Sequence, residues 1–215
     1  MKKAIILGGS RGIGKAISDS LKKLDLEVLS ASSADIDTSD LESVNKFSEK
    51  NDVTDILVLN TGGPPIIEFK KITNEDWNKY HNQLFVGFCT LLQKITINDG
   101  GYVFVITSNV IKEPNAKLII SSAYRAAFAE VFKILSKDYA QNNISCINIA
   151  PGPINTDRTK ELIGNIKEYE KYLPMKRLGE PEEIGNFVKA IIENNIKYLT
   201  GVTINFDGAN SNYIF

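Results

Sequence analysis

The chain alternates short β-rich runs with longer amphipathic stretches, and this alternation strongly constrains its fold. Several of the β-rich runs are apolar at every position, as strands covered on both faces must be, whereas the stretches between them carry apolar residues at helical spacing. The predicted strands cover residues 4–7, 27–30, 56–59, 102–107, 144–149 and 202–205, and the predicted helices cover about residues 12–24, 39–50, 74–95, 117–140 and 181–193. Strand, helix, strand in this order requires right-handed crossovers, so we predict an α/β fold with a parallel sheet and helices on both faces.

Length and charge exclude several classes of function. The 215 residues, of which 43% are apolar and 24% charged, suffice for one core and predict a single domain. A net charge of -1 supplies no basic field, so neither nucleic acid nor anionic lipid is an expected partner. The apolar run in "MKKAIILGG" is too short for a signal peptide or a membrane span, and we expect a cytoplasmic location without membrane binding.

Cysteine and histidine give no sign of a metal site. Cys89 lies in a helical pattern and Cys146 in a strand pattern, and neither has a second cysteine or histidine at ligand spacing. We interpret both as small buried hydrophobic residues in a reducing compartment. His81, the single histidine, lies on a predicted helix without a nearby partner and is interpreted as structural.

The first predicted strand leads directly into "GGSRGIG", residues 8–14. Glycines let the backbone turn sharply and approach a pyrophosphate, and the helix that starts here directs its free N–H groups at the phosphates. A tight strand-to-helix turn without a ligand is the alternative, but the position after an N-terminal strand favours a dinucleotide site. The candidate cofactor-binding residues of this turn are Gly8, Ser10, Arg11, Gly12, Ile13 and Gly14.

The end of the second predicted strand indicates which dinucleotide binds. An acidic residue there accepts a hydrogen bond from the ribose 2′-OH of NAD and repels the 2′-phosphate of NADP. The sequence is "LSASS", in which Ser32 can hydrogen-bond a phosphate while Arg11 supplies charge from the other side. We therefore favour NADP(H) over NAD(H). Asp35 remains a competing ribose ligand if the loop is short, and Asp37 is placed to accept from the adenine amino group.

These segments resemble the short-chain dehydrogenase/reductase family in its smaller, single-domain form, similar to 3-oxoacyl-carrier-protein reductases and sugar or alcohol dehydrogenases. Besides the glycine-rich turn, "LNTGG", "NIAPGPINTD", "KRLGEPEEIG" and "YLTGVTINFDGA" match family segments in family order, although Leu7 replaces a usual threonine. The resemblance implies a Rossmann-type, doubly wound parallel sheet of about seven strands. It also implies that Asn60 and Gly62 lie along the adenosine and that Pro151, Gly152, Ile154 and Thr156 face the nicotinamide.

The same resemblance implies a catalytic site that this chain only partly retains. The family uses a serine that binds the substrate carbonyl, a tyrosine that transfers the proton, a lysine four residues later, and a helix asparagine. Ser108 falls on the serine position, Ser121 on the tyrosine, Arg125 on the lysine and Leu84 on the asparagine. Arginine keeps the positive charge but cannot pass a proton, and a serine hydroxyl is a far weaker acid than a phenol.

Tyr124 is the remaining phenol in "IISSAYRAAF". On a helix it lies about 60° around the axis from Ser121 and about 100° from Arg125. We hypothesise that Tyr124, assisted by Ser108 and Arg125, donates the proton. The alternative is that Tyr124 packs against a neighbouring helix or subunit.

Further expectations concern the surroundings of the site. The segment "RTKELIGNIKEYEKYLPM" is predicted to cover the substrate as a mobile region. Four aromatic residues at helical spacing predict a helix-packing surface, which in this family commonly forms homodimers or homotetramers: Phe85, Phe88, Phe128 and Phe132. Two functions stay open, an NADP(H)-dependent oxidoreductase acting on a carbonyl or secondary alcohol, with a 3-oxoacyl or sugar-like substrate, and a catalytically impaired dinucleotide-binding sensor or partner subunit.

Overall fold

The computed structural model describes residues 1–213 and shows one parallel sheet with helices on both faces. The strands are β1 (Lys2–Leu7), β2 (Leu26–Ala31), β3 (Val53–Leu59), β4 (Thr96–Ile106), β5 (Ser145–Pro151) and β6 (Val202–Phe206), in the sheet order β2-β1-β3-β4-β5-β6. All neighbouring pairs are parallel, which confirms the predicted fold class. The described part of the chain contains six strands, close to the predicted seven, and every predicted strand overlaps one of them.

Between residues 1 and 213, eight α-helices connect and flank these strands. Their bounds are α1 (Gly12–Leu21), α2 (Leu41–Lys50), α3 (Asn74–His81), α4 (Gly87–Lys94), α5 (Ile119–Gln141), α6 (Asp157–Ile163), α7 (Ile166–Glu170) and α8 (Pro181–Glu193). The single helix predicted over residues 74–95 contains a π-helical turn, Asn82–Val86, between α3 and α4. Within residues 1–213, no helix is both long and apolar enough to cross a membrane.

The strands bury alternate side chains against two separate helical layers. Ile5 and Leu7 of β1 contribute to a core with α2, α4 and α5, whereas Ala4 and Ile6 contribute to a core with α1 and α8. Successive side chains of a strand point to opposite faces, so apolar residues are needed at every position of a strand covered on both sides. This requirement explains the continuous apolar runs in the sequence.

Three of the four phenylalanines predicted to form an intersubunit surface are buried inside the single chain. Phe88, Phe128 and Phe132 are at most 2% exposed, and the rings of Phe88 and Phe128 lie 5.2 Å apart, edge to face. The helices turn this aromatic stripe towards β3, β4 and β5, because the sheet must be covered on both faces. The stripe therefore packs helices within the chain, as its helical spacing predicts, and assembly into a homodimer or homotetramer stays a prediction.

Both cysteines belong to the same core. Cys146 on β5 is fully buried, and Cys89 on α4 is half-buried against its neighbours. Burial raises the pKa of the Cys146 thiol to about 12, so the thiol stays protonated. This agrees with a packing role for Cys146.

The topology places a crevice at the carboxyl edge of the sheet. The connection from β1 runs to β2 on one side, and the chain then returns across β1 to β3 on the other, so the direction of winding reverses between β1 and β3. In open α/β sheets, ligands bind outside the carboxyl ends of the strands at this reversal. Predicted site residues follow β1, β2, β3, β4 and β5 at that edge, and Ser121, Tyr124 and Arg125 lie on α5.

Candidate active site

The turn after β1 has a backbone that requires glycine. Gly8 and Gly12 adopt φ angles of +61° and +54°, in the left-handed region that other residues disfavour. A Cβ atom added to Gly14 would overlap the carbonyl oxygen of Gly8 and lie 2.7 Å from Nδ2 of Asn60. The turn is therefore tightly closed against the end of β3.

The N-terminus of α1 is suited to a phosphate. Arg11 is the N-cap residue, no side chain caps the helix, and its first turn carries no acidic residue. The first amides of a helix have no acceptor within it, and their positive dipole end favours an anion. Thr156 lies across the turn, with its methyl carbon 3.4 Å from the position of a Cβ on Gly12. This arrangement fits the pyrophosphate of a dinucleotide.

Asn60 joins β1 and β3 at their carboxyl ends. Its side-chain nitrogen donates to the carbonyl oxygen of Leu7 at 3.3 Å. Gly62, two residues later, is exposed, and apart from its chain neighbours no residue within 1–213 places an atom within 4 Å of the position of a Cβ there. Space therefore exists beside Gly62 at the place where the resemblance puts the adenosine.

The loop after β2 is closed by two aspartates. Asp35 accepts from both the backbone N–H and the hydroxyl of Ser32, each at 2.8 Å, and these bonds lower the pKa of its carboxyl group, the backbone bond most strongly. Asp37 accepts from the backbone N–H and hydroxyl of Ser39. Both donors of Ser32 are thus engaged by a carboxylate at the predicted 2′-phosphate site.

The residues expected at the nicotinamide end form a compact corner after β5. Pro151 ends the strand, and the amide of Gly152 donates to Phe206 at 3.0 Å. A Cβ on Gly152 would lie 2.6 Å from Cβ of Asp207, so only glycine fits there. Ile154 is buried and pairs with Gly179, while Thr156 caps α6 by accepting from the amide of Thr159.

Ser108, Ser121 and Arg125 are positioned by β4 and α5. Ser108 lies two residues after β4, and its hydroxyl donates to Asn109 at 3.3 Å and accepts from the amide of Val110 at 3.4 Å. On α5, the Nε of Arg125 donates to the hydroxyl oxygen of Ser121 at 3.2 Å.

The guanidinium of Arg125 also reaches the ends of two strands. It donates to the carbonyl oxygen of Ile106, at the end of β4, at 2.8 Å and to that of Thr61, just after β3, at 3.4 Å. Arg125 is 7% exposed, and burial, with a smaller contribution from the charge of Arg158, lowers its pKa to about 10. The cation is thus held rigidly at the carboxyl edge of the sheet.

Tyr124 lies on a different face of α5. Its hydroxyl donates to the carbonyl oxygen of Trp77 at 3.2 Å, and its ring lies 5.8 Å from that of Trp77 and 5.3 Å from that of His81. Burial raises the pKa of its phenol, which makes the group a weaker acid. These contacts favour the packing alternative, and a proton-donating role for Tyr124 stays a prediction.

Sequence reasoning missed a polar network that joins β3 to the π-helical turn. Leu84, on the expected asparagine position, is a buried apolar residue, but Gln83 beside it donates to the hydroxyl of Thr61 at 3.2 Å and to the carbonyl oxygen of Gly62 at 2.9 Å. The π-helical turn changes the rotation of residues along this helix, so counting residues from Trp77 does not identify the side chain that faces the site. The amide of Gln83 is therefore the polar side chain by which this helix contacts the loop after β3.

Arg158 was also missed. It is the second residue of α6, and its guanidinium donates to the carbonyl oxygen of Pro64 in the loop after β3. The segment predicted to cover the substrate contains the short helices α6 and α7. Through Arg158 it contacts the loop after β3, on the other side of the crevice. The charge of Arg158 gave no signal in the sequence because its partner lies 94 residues away.

Comparisons with known proteins agree with this architecture. A family model described as Enoyl-(Acyl carrier protein) reductase matches residues 35–209. The chain is 28% identical over 240 aligned positions to the 3-oxoacyl-[acyl-carrier-protein] reductase FabG of Chlamydia pneumoniae, with 96% of each protein covered. It is 25% identical to the NADPH-dependent reductase BacG of Bacillus subtilis (strain 168), covering 95% of this chain and 96% of that protein.

Solved structures show the same fold. The crystal structure of BdcA in complex with NADPH superimposes with a TM-score of 0.86 at 25% identity, covering 97% of this chain and 94% of that one. A short chain dehydrogenase family protein from Francisella tularensis subsp. tularensis SCHU S4 gives a TM-score of 0.87 at 21% identity, with 98% of each chain covered. With most of its length matched by the family model, and the glycine-rich turn in place, the chain belongs to the short-chain dehydrogenase/reductase family.

Proposed function

We propose that this protein is an NADP(H)-dependent oxidoreductase that interconverts a carbonyl and a secondary alcohol by hydride transfer. One observation carries the proposal: the cation of Arg125 and the hydroxyls of Ser108 and Ser121 lie at the same sheet edge as the glycine-rich turn. The names of its relatives support the reaction class, since they include a 3-oxoacyl-[acyl-carrier-protein] reductase and an NADPH-dependent reductase. A 3-oxoacyl or sugar-like compound is the proposed substrate.

The geometry supports a set of residues for holding the cofactor. The N-terminus of α1 with Gly8, Gly12 and Thr156 receives the pyrophosphate, while Asn60 and Gly62 lie along the adenosine. Arg11 and Ser32 bind the 2′-phosphate, for which Asp35 must release the donors of Ser32. When bound, the nicotinamide supplies the hydride for reduction.

The protein groups act on the substrate oxygen, where negative charge develops during reduction. Preorganised donors and positive charge aimed at such an oxygen lower the barrier without further reorganisation. Ser121 accepts from Arg125, so its own proton is free to point at the substrate, and Ser108 supplies a second hydroxyl. We assign these three residues to polarisation of the carbonyl, and Tyr124 remains the alternative proton donor.

A second candidate function is supported by the surroundings of Tyr124 and Arg125. The phenol of Tyr124 is bonded to the backbone of α3, and three donors of Arg125 are bonded to protein oxygens. A site with these partners binds a dinucleotide without an efficient proton donor. The protein would then act as a sensor or as a partner subunit.

Turnover separates the two candidates. We would follow NADPH oxidation with a panel of 3-oxo esters, aldoses and cyclic ketones, and measure NADPH binding in parallel by nicotinamide fluorescence. Binding with turnover supports the oxidoreductase, and binding without turnover on every ketone supports the sensor or partner subunit. Failure to bind either NADPH or NADH contradicts both.

The proposal also includes a cytoplasmic location and assembly into a homodimer or homotetramer. Light scattering of the purified protein at several concentrations tests the assembly. A single species with the mass of one chain would contradict it.

A further inference from the structure

Arg125 is a buried cation without a counter-ion. Its side chain donates to three neutral oxygens, those of Ser121, Ile106 and Thr61, and within residues 1–213 no carboxylate forms an ion pair with it. A guanidinium has five N–H donors, so two remain available. Buried charges in proteins are normally paired, because an unpaired one is costly to remove from water. Among the residues that the structure describes, none therefore neutralises the charge of Arg125 by an ion pair.

A second guanidinium, that of Arg158 on α6, contacts the same loop. Arg158 donates to the carbonyl oxygen of Pro64, and its Nε lies 3.8 Å from the position of a Cβ on Gly63, while Arg125 donates to Thr61. Both cations thus contact the four-residue turn Thr61 to Pro64. The single acidic partner of Arg158 among the described residues is Glu161, at 3.7 Å and with a side chain 67% exposed. An exposed pair of this kind compensates little charge.

The two cations also repel each other. Burial, followed by the charge of Arg158, lowers the pKa of Arg125, so the neighbouring cation disfavours the charged form of Arg125. An anion between them would remove this repulsion and use the remaining donors. Guanidinium groups bind carboxylate and phosphate with two parallel hydrogen bonds, which orients the ligand as well as holding it.

The position of the pair points to the substrate as the source of that anion. Arg158 follows Thr156 at the nicotinamide end, and Arg125 contacts Ser121 beside the carbonyl-polarising hydroxyls. We propose that Arg125 and Arg158 together bind an anionic group, a carboxylate or a phosphate, that the carbonyl substrate carries. This inference rests on the proposed reductase function and specifies its substrate class. The cofactor pyrophosphate is the competing source of the anion, because Thr156 also faces Gly12.

A matched pair of ketones tests the inference. Acetoacetate and methyl acetoacetate present the same 3-oxo group and differ in the charge at the other end. We expect the wild type to reduce acetoacetate with a kcat/KM at least about tenfold higher, as one charge-assisted contact provides. Arg158→Gln should bring the ratio close to one, and Arg158→Lys, which keeps the charge, should retain part of it.

The control is Lys189→Gln, which removes one positive charge from α8, where Lys189 forms an ion pair with Glu193 at 2.9 Å. It should leave the ratio unchanged. Because Arg158 lies at the surface of α6, its variants should fold, and thermal unfolding would verify this before the kinetics are compared.

A binding measurement separates the inference from the reductase proposal. In the presence of saturating NADP+ no hydride can reach the ketone, so calorimetric titration of both compounds reports affinity alone. Tighter binding of acetoacetate to the wild type, lost in Arg158→Gln, supports the anion site even if no ketone is turned over. Absence of turnover with such binding would contradict the reductase proposal but not the anion site. Equal binding of the two compounds, or binding of neither, overturns the anion site.

Two further outcomes also overturn it. Equal kcat/KM for acid and ester would leave the reductase proposal intact and remove the anionic substrate. A loss of NADPH affinity in Arg158→Gln with an unchanged acid-to-ester ratio would assign the cation to the cofactor pyrophosphate.

Discussion

The Nε of Arg125 donates to the hydroxyl oxygen of Ser121 at 3.2 Å, so the residues on the family's lysine and tyrosine positions are bonded to each other one turn apart on α5. The bond fixes the serine oxygen as an acceptor and leaves its proton to be donated elsewhere. A pair that normally combines a phenol with a lysine therefore becomes a hydroxyl oriented by a guanidinium. The contribution of this Ser121–Arg125 pair to catalysis can be measured by substituting either residue.

Ser121→Ala should lower kcat by about a hundredfold to a thousandfold, because removing one donor from a developing oxyanion has effects of that order. Folding should survive, since Arg125 keeps its two backbone acceptors. Ser122→Ala is the matched control, as that hydroxyl donates to Leu118 within the same helix at 2.9 Å. Steady-state kinetics in which both variants behave alike would remove Ser121 from the reaction.

Tyr124→Phe should leave kcat within about twofold and lower the free energy of unfolding by about 1 kcal/mol, the usual net value of a hydrogen bond. The reason is the bond from its hydroxyl to Trp77. Tyr139→Phe provides the control, since Tyr139 donates to Leu92 from the same helix. Abolished turnover with intact NADPH binding in Tyr124→Phe would instead establish Tyr124 as the proton donor.

Asp35→Asn should raise the affinity for NADPH by about tenfold and leave that for NADH nearly unchanged, since one removed charge repulsion is worth about 1 kcal/mol or more. The substitution removes the carboxylate that occupies both donors of Ser32. Asp37→Asn, a control with the same change in charge, should affect both cofactors alike. Fluorescence titrations would decide, and a selective gain for NADH would show that Asp35 does not border the 2′-phosphate.

Glu183→Gln should destabilise the protein by about 1 kcal/mol at neutral pH, because the carboxylate caps α8 through the amide of Glu180 and pairs with Arg177. The hydrogen bond from Arg177, followed by that from Glu180, lowers the pKa of Glu183 from its usual 4.5 to about 2. The folded state binds its proton less readily than the unfolded state. The stabilisation is therefore fully present above pH 4.5 and is lost as the pH falls towards 2.

Urea unfolding of the wild type and of Glu183→Gln between pH 7 and pH 3 would test this window. The difference between them should shrink on acidification. Glu182→Gln, a neighbouring substitution in the first turn of α8, should show little difference at any pH. A difference that stays constant across this pH range would show that Glu183 stabilises the protein independently of its charge.

The elements of the sheet were predictable because their signals are local. The covered part of β1, residues 4–7, is apolar at every position, as a strand buried on both faces must be. The burial of Phe88 and Phe128 against the sheet was not predictable. Periodicity identifies an apolar helix face, but it does not say whether a sheet or a second subunit covers it.

The parts of the site that were missed depend on contacts distant in sequence. Arg158 bonds to Pro64, and Gln83 bonds to Thr61 and Gly62, so each role emerges only when separate elements meet. The glycine-rich turn, in contrast, is encoded in seven consecutive residues. This difference explains why the cofactor half of the crevice could be described from the sequence more fully than the substrate half.

The π-helical turn between α3 and α4 makes this helix sensitive to length. The π-helical turn contains one residue more than a regular helix would have between Trp77 and Phe88. Successive residues of an α-helix are rotated by about 100° around its axis. Deleting one residue from this turn would let the helix become regular, and would swing either Phe88 out of the core or Gln83 away from Thr61. Phe88 can pack in the core while Gln83 bonds to Thr61 only when that additional residue is present.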